Sequence, residues 1–452
     1  SGSTLYLFLV PQKRMPLPSL THLVRTLLLN RKLSVFYSLF TIGSHYFHGM
    51  KIGIIKEGKT PPDERVALTP IHCKHLVETY GDTPGFEIKV QRSPIRCFKD
   101  SDYANAGIEL VDNVNDCDVI FGVKEVKHEM LAEGKTMLFF SHTIKKQPYN
   151  RDLLREVLKK KVRLIDYETL TYSNGARVLG FGRYAGIVGA YNALLAYGKR
   201  TDSFDLKPAY MCANMREMGM EMKEIELDNI KIIISGGGKV AHGAKETLNT
   251  AGIRQVSISD FLNKHFDEPV FCNADVLDYH EKNGKRPANF GEFVKDSTVW
   301  ENTFTKFTNV ADIFISAHFW DNKSAHFFTE DDVQSDDFNV KVIADITCDI
   351  KGSVPTTLRP STIADPIYGY DRYSGIEAEP FTEDSITIMA VDNLPCEVPK
   401  DASSGFGQDL IDKIIPLFLG EDSEKILERA TIAQDGKLTE YFSYLQDYVD
   451  GK

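Results

Sequence analysis

Lys231-Ile-Ile-Ile-Ser-Gly-Gly-Gly-Lys-Val-Ala-His-Gly243 runs an apolar strand into a glycine turn and then into a helical pattern. Gly236, Gly238 and Ala241 fit the spacing G-x-G-x-x-G/A. That spacing provides a tight turn, bare backbone for a pyrophosphate, and close helix–strand packing. The helix expected from Ala241 to Leu248 would aim its unpaired N–H groups and positive dipole end at the phosphate. A second apolar run, Gln255–Ser259, ends at Asp260, 22 positions beyond Gly238. A carboxylate at that spacing meets the ribose hydroxyls of NAD. A generic strand-to-helix turn needs only the glycines. Strand, helix, spacing and acid together predict a dinucleotide site.

Composition bounds the rest. The 452 residues suffice for two or three domains, and 42% hydrophobic with 26% charged residues is ordinary globular composition. A net charge of −11 argues against nucleic acid as the main partner, because phosphate binding needs a basic face. No apolar run is long enough to span a bilayer. The seven cysteines are scattered and form no C-x-x-C pair, which points away from zinc or any other metal and toward a reducing, cytoplasmic setting. Residues 1–49 hold five Lys/Arg and no acid among many Leu, Phe, Tyr and Ser. They read as an extension outside the fold, either upstream sequence before Met50 or an organellar targeting segment.

From Met50 onward short apolar runs alternate with amphipathic stretches. Strands are expected at 51–55, 86–91, 118–123, 136–141 and 162–166, with helices around 70–80, 101–107 and 148–160. Alternating β and α elements with near-continuous apolar strands predict a doubly wound parallel sheet covered on both faces. The uncharged stretch Gly186–Gly198 reads as a buried helix where one domain passes to the next. A second series starts at Lys231, with strands at 255–259, 311–316 and 341–346 and an irregular, aromatic insertion at 261–310. Phe406, Leu410, Ile414 and Phe418 share one helical face within 401–419, which can return to the first domain. The expected architecture is α/β: two Rossmann-like domains with a cleft between them. The first is built from 50–190 plus 396–452, and the cofactor domain, 191–395, is inserted in it.

Ligands of open parallel sheets sit beyond the carboxyl ends of the strands. Lys124 ends one expected strand and His142 the next, and sequential parallel strands are often neighbours. A lysine with a pKa lowered by burial and a histidine titrating near neutrality make an acid–base pair. A surface lysine and a capping histidine are the plain alternative. Arg65, in Asp63-Glu-Arg-Val-Ala-Leu-Thr-Pro70, can fork a substrate carboxylate or pair with Asp63 or Glu64. Asp345 and Asp349 end a strand of the cofactor domain and can face a ligand or cap a turn. Arg177 can reach the cleft or be solvated.

Asp63–Pro70, Gly122-Val-Lys-Glu125, Phe139-Phe-Ser-His-Thr-Ile-Lys145, Arg163-Leu-Ile-Asp-Tyr-Glu168, Phe181-Gly-Arg-Tyr-Ala-Gly186 and Val391-Asp-Asn-Leu-Pro395 together resemble one superfamily. It comprises alanine dehydrogenase, transhydrogenase and the lysine-forming saccharopine dehydrogenases, and the resemblance spans Met50 to about Gly420. The Phe-Phe-Ser-His-Thr-Ile-Lys context is most similar to the lysine–2-oxoglutarate reductase half of the bifunctional aminoadipic semialdehyde synthases.

The resemblance implies NAD(P)-dependent reductive amination of 2-oxoglutarate by L-lysine, giving saccharopine. It implies acid–base work for Lys124 and His142, carboxylate binding for Arg65, and a place near the reacting centre for Asp349. Asp392 and Asn393 belong to a segment that approaches the nicotinamide, and Arg177 is a further substrate-binding candidate. Asp260 favours NAD by repelling a 2′-phosphate, while Arg254, Ser257 and Ser259 keep NADP open. Lys239, inside the glycine turn, departs from the motif. The competing readings are an alanine-type amino acid dehydrogenase and a catalytically silent dinucleotide-binding protein.

Overall fold

The computed structural model describes residues 49–318, 320 and 323–452. The extension expected at 1–49 therefore falls, up to residue 48, outside the described residues. The strands are β1 (Lys51–Ile54), β2 (Glu87–Gln91), β3 (Glu109–Val111), β4 (Val119–Phe121), β5 (Thr136–Phe139), β6 (Arg163–Asp166), β7 (Lys231–Ser235), β8 (Arg254–Gln255) and β9 (Val270–Ala274). They continue with β10 (His280–Glu281), β11 (Glu301–Asn302), β12 (Ile313–Ser316), β13 (Val342–Asp345), β14 (Ile367–Asp371), β15 (Glu377–Ala378), β16 (Ser385–Met389), β17 (Thr431–Gln434) and β18 (Lys437–Leu438).

Two sheets of eight strands result. The first runs β18-β17-β6-β5-β4-β1-β2-β3 and the second β15-β14-β16-β13-β12-β7-β9-β8. Pairing is parallel except around β17 and β14, which lie antiparallel to their neighbours. The interior strands β4, β12, β13 and β16 are buried along their whole length, as helices on both faces require. The chain leaves the first sheet after β6, builds the second, and returns with β17 beside β6. The insertion of one α/β unit in another is as expected.

Helix α1 (Gly182–Thr201) is buried from Gly186 through Gly198 and packs across β12, β13 and β16. It belongs to the core of the second lobe. Helix α2 (Lys239–Thr250) follows the glycine turn and runs parallel to α1. Glycines let the two backbones touch: a Cβ on Gly186 would lie 1.9 Å from the Val240 carbonyl oxygen, and one on Gly243 would lie 2.0 Å from that of Arg183. Thr247 Oγ1 donates to the Ile187 carbonyl at 3.0 Å along the same seam. Helix α4 (Pro399–Asp409) continues through a π-helical turn, Leu410–Ile414, and buries Phe406, Leu410 and Ile414 in the first lobe, the face expected from their spacing.

One part of the second sheet differs from expectation. The run 255–259 supplies strand only as Arg254–Gln255, an exposed pair at the sheet edge. Ser257 then caps α3 (Ile258–Asn263), its Oγ accepting from the Asp260 amide at 3.1 Å. The stretch read as an irregular insertion contains β9, and β9 lies between β8 and β7. Burial explains the order, since Val270, Phe271, Cys272 and Ala274 are buried while both residues of β8 are exposed. Among the described residues no helix is long and apolar enough to cross a membrane.

Candidate active site

The glycine turn has the stereochemistry a dinucleotide needs. Gly236 has φ 97°, and a Cβ there would lie 2.6 Å from the Ala317 carbonyl oxygen, so only glycine fits. A Cβ on Gly237 would meet the Asp275 carboxylate at 2.4 Å, whereas Gly238 opens onto free space at the N-cap of α2. Ala241 is fully buried against α1. Asn273 Nδ2 holds the turn by donating to the carbonyls of Ile234 and Gly236, at 3.2 and 2.7 Å.

The acid beside this turn is Asp275. The ribose carboxylate belongs at the end of the strand next to the glycine strand. With β9 in that place, the Gly236 amide donates to the Ala274 carbonyl at 2.8 Å, and Asp275 follows directly. Asp275 is exposed. The structure does not bring Asp260 to the turn: it lies in α3 beyond the edge strand, paired to Lys264 at 2.8 Å. Counting from the glycines presumed that the next strand in sequence is also the next in space.

Lys124 and His142 do come to one cavity. The ladder between β4 and β5 continues past both strands, Phe140 N donating to the Val123 carbonyl at 2.9 Å, and both side chains face one cavity. Burial, reinforced by the charges of Arg65 and Lys59, lowers the pKa of Lys124. Its backbone is fixed by Glu57, whose two carboxylate oxygens accept the amides of Val123 (2.7 Å) and Lys124 (2.8 Å). Burial and the neighbouring Asp63 push Glu57 up to about 8. His142 sits in the left-handed region at φ 52°, with Nδ1 2.5 Å from Glu125 Oε1. Burial alone would raise Glu125, but the bond to His142 outweighs it and holds the carboxylate down to about 2. The other Glu125 oxygen lies 3.3 Å from Lys59. Nε2 is the His142 nitrogen left for a ligand.

Arg65 is buried, and of its two sequence readings the structure shows the pairing with Asp63. Its Nε and Nη2 grip Asp63 at 3.0 and 2.6 Å, Nη2 also donates to Asn393 Oδ1 at 2.9 Å, and the guanidinium lies 4.2 Å from the Phe181 ring centroid. Against its own burial, Asp63 is held well below the usual carboxylate range by Arg65. Asp63 thus takes the fork, and among the described residues Nη1 remains for a ligand. Asn393 begins the turn that follows β16, at φ 71°, so its bond to Arg65 joins the two lobes.

One cavity of about 530 Å³ collects these groups. Arg65, Lys124, His142, Glu168 and Arg177 line it from the first lobe, and Lys239 and Asn393 from the second. Arg177 pairs with Glu168 at 2.9 Å. Asp349 and Asp392 are exposed and do not line the cavity. Asp345 is buried and accepts from Ser316, Thr347 and Thr357, which makes it a structural anchor of the β12–β13 ends. Sequence reasoning passed over Glu125, Glu168, Lys239 and Asp275 as site residues. The first two stand inside or beside quoted motifs, and Asp275 ends an apolar run, a signal that was available.

Comparison with known proteins agrees with the two-lobed fold. Residues 53–188 match the family model described as alanine dehydrogenase/PNT, N-terminal domain, and residues 207–441 match the alanine dehydrogenase/PNT, C-terminal domain. The chain is 27% identical over 454 residues to the mitochondrial alpha-aminoadipic semialdehyde synthase of Mus musculus, covering 88% of this chain and 48% of that protein. The Arabidopsis thaliana alpha-aminoadipic semialdehyde synthase is 26% identical, with 87% and 41% covered. The chain thus spans about half the length of these relatives or less. The lysine-forming, NAD(+) saccharopine dehydrogenase of Emericella nidulans is 24% identical, with 81% of this chain and 92% of that protein covered. Among solved structures, an L-alanine dehydrogenase superposes with a TM-score of 0.58 at 17% identity, covering 89% of this chain and 99% of that one. A transhydrogenase from Sinorhizobium meliloti superposes with 0.53 at 15%, covering 86% and 98%. With both halves of its two-lobed fold matched, the chain belongs to the alanine dehydrogenase/PNT family.

Proposed function

We propose that this protein is an NAD-dependent oxidoreductase that reductively aminates 2-oxoglutarate with L-lysine to give saccharopine. The observation that carries the reading is the single cavity that joins Lys124, the His142–Glu125 pair and two arginines to the mouth of the glycine turn. The similarity to saccharopine dehydrogenases and aminoadipic semialdehyde synthases supplies the substrate class.

Condensing an ε-ammonium with a ketone moves two protons from nitrogen to oxygen before water leaves. Lys124, its pKa lowered by burial, accepts a proton from the incoming ammonium. His142 Nε2 delivers one to the departing hydroxyl, and Glu125 on Nδ1 stabilises the imidazolium that alternates with the neutral ring. Arg65 Nη1 and Arg177 hold the carboxylates of 2-oxoglutarate, and the product amine takes its last proton from the ammonium that Lys124 has become. Asp349 and Asp392 enter this reading only if closure of the lobes carries them in. Closure would turn on Gly180 and on the segment Asn393–Val398, and would exclude water.

Gly236, Gly238 and Ala241 would hold the dinucleotide, which when bound supplies hydride to the imine carbon. Asp275 would accept from the ribose hydroxyls and repel a 2′-phosphate, favouring NAD over NADP. The test is oxidation of NADH or NADPH by the purified chain with 2-oxoglutarate and either L-lysine or ammonia, with pyruvate plus ammonia as a third arm. Turnover that requires lysine is the expected result. Turnover with pyruvate and ammonia would replace this reading with the alanine-type one, which the L-alanine dehydrogenase fold also accommodates.

A further inference from the structure

Lys239 is the residue that the glycine motif does not explain. Such a turn binds phosphate through backbone N–H groups and a helix dipole, and needs no lysine. Lys239 occupies the first position of α2, directly after Gly238. A Cβ on Gly182, the first residue of α1, would lie 3.5 Å from the Lys239 Cβ and 3.4 Å from Val240 Cγ2. The parallel helices α1 and α2 therefore present their N-termini side by side, and Lys239 adds a full positive charge between them.

Lys239 also faces the other lobe. Its Nζ is 3.5 Å from the Arg177 carbonyl oxygen, a long contact with room to tighten. It lines the main cavity and a second one of about 350 Å³. Around the second cavity the other basic side chains Arg183 and Lys413 pair with Glu246 and Asp409. Lys239 has no carboxylate partner among the described residues. The Arg177 carbonyl ends a short hairpin in which Tyr172 N donates to the Ala176 carbonyl at 2.9 Å. Holding that carbonyl holds the hairpin whose side chain faces the substrate end of the cavity.

We infer that Lys239 is a latch between the lobes, its ammonium bridging a phosphate of the bound dinucleotide to the carbonyl of Arg177. An ammonium has three donors and can serve both oxygens at once. The consequence is reciprocal: dinucleotide binding fixes the Arg177 hairpin and tightens carboxylate binding, and a carboxylate tightens dinucleotide binding by the same factor. This inference rests on the dinucleotide reading above and adds a positioning role for Lys239.

The test is NADH binding to the full chain, followed by fluorescence with and without saturating 2-oxoglutarate, in wild type, Lys239→Met and Lys239→Arg. Wild type should bind NADH several-fold more tightly when 2-oxoglutarate is present. Lys239→Met, which keeps the apolar stem, should raise the NADH Kd about tenfold and reduce the mutual effect to less than twofold, while Lys239→Arg should retain it. A Met variant that binds NADH weakly but keeps the full mutual effect would overturn the latch and leave a simple phosphate cation. Wild type that binds NADH with no mutual effect also overturns the latch without touching the cofactor reading. Wild type that does not bind NADH overturns the cofactor reading, and the latch with it.

Discussion

Replacing Gly186 by alanine sets two effects of opposite sign against each other. Inside a helix, Gly→Ala is worth about 1 kcal/mol of stabilisation from backbone entropy alone. At this position the new methyl would lie 1.9 Å from the Val240 carbonyl oxygen, 2.8 Å from the Val240 carbonyl carbon and 2.9 Å from the Ala244 nitrogen. All three are backbone atoms of α2, so no side chain can rotate away. Restoring an ordinary carbon–oxygen contact requires α1 and α2 to part by more than about 1 Å, and overpacking of this kind costs about 1–3 kcal/mol or more. With fixed backbone 1.9 Å away the cost falls in the upper part of that range, about 2–3 kcal/mol, so packing outweighs propensity for a net loss of roughly 1–2 kcal/mol. In a domain of this size that lowers Tm by about 2–8 °C. Because α2 carries the glycine turn, the phosphate position shifts with it, and the NADH Kd should rise about tenfold or more, as misplacements near 1 Å do elsewhere. Thermal unfolding of the free chain and an NADH titration measure the two consequences separately. A variant with a raised Tm and unchanged NADH affinity would mean that propensity had won and that the helices do not meet as described.

Lys124→Met should lower kcat by about a hundredfold or more while the NADH Kd stays within twofold, and normal turnover would remove Lys124 from the acid–base role. Asp275→Asn should narrow the preference for NADH over NADPH by about tenfold, whereas Asp260→Asn should leave it unchanged; the reverse pattern would restore the acid read from sequence spacing. Glu397 is buried, accepts from Asn192 Nδ2 at 2.8 Å, and is pushed up by burial from 4.5 to about 7. A folded carboxyl that binds its proton more tightly than the unfolded one contributes stability below pH 4.5 that is lost as pH rises through about 7. Glu397→Gln keeps an acceptor for Asn192 and should flatten that fall, by up to about 3 kcal/mol at pH 8. Chemical denaturation at pH 5 and pH 8 reads it, and parallel pH profiles for the two proteins would refute it.

Much of the first lobe was legible because its interactions are local or follow strand order. Lys124 and His142 each end an apolar run, and consecutive parallel strands placed them together as expected. Arg65 was legible as a cleft residue, but not the way in which Asp63 occupies its fork and Asn393, 328 positions away, ties it to the other lobe. Glu125 was overlooked because adjacency in sequence does not announce a bond to a histidine 17 residues on. Asp260 does not stand beside the turn because a spacing rule counts residues, while the neighbouring acid is set by whichever strand lies next to the glycine strand.

Periodicity, glycine placement and strand-end chemistry by themselves determined two α/β lobes, a glycine turn between strand and helix, and the residues along one edge of the cavity. These features depend on steric and hydrogen-bonding preferences that operate within a few residues, so the amino-acid order carries them. Tertiary structure alone decided that β9 displaces β8 from the side of β7, that Asp275 rather than Asp260 flanks the turn, and that Lys239 reaches the Arg177 carbonyl. Those outcomes follow from which apolar strand gains most by burial in the sheet interior and from how closely glycine-faced helices can approach. Both are competitions among distant segments, settled only when the whole core packs.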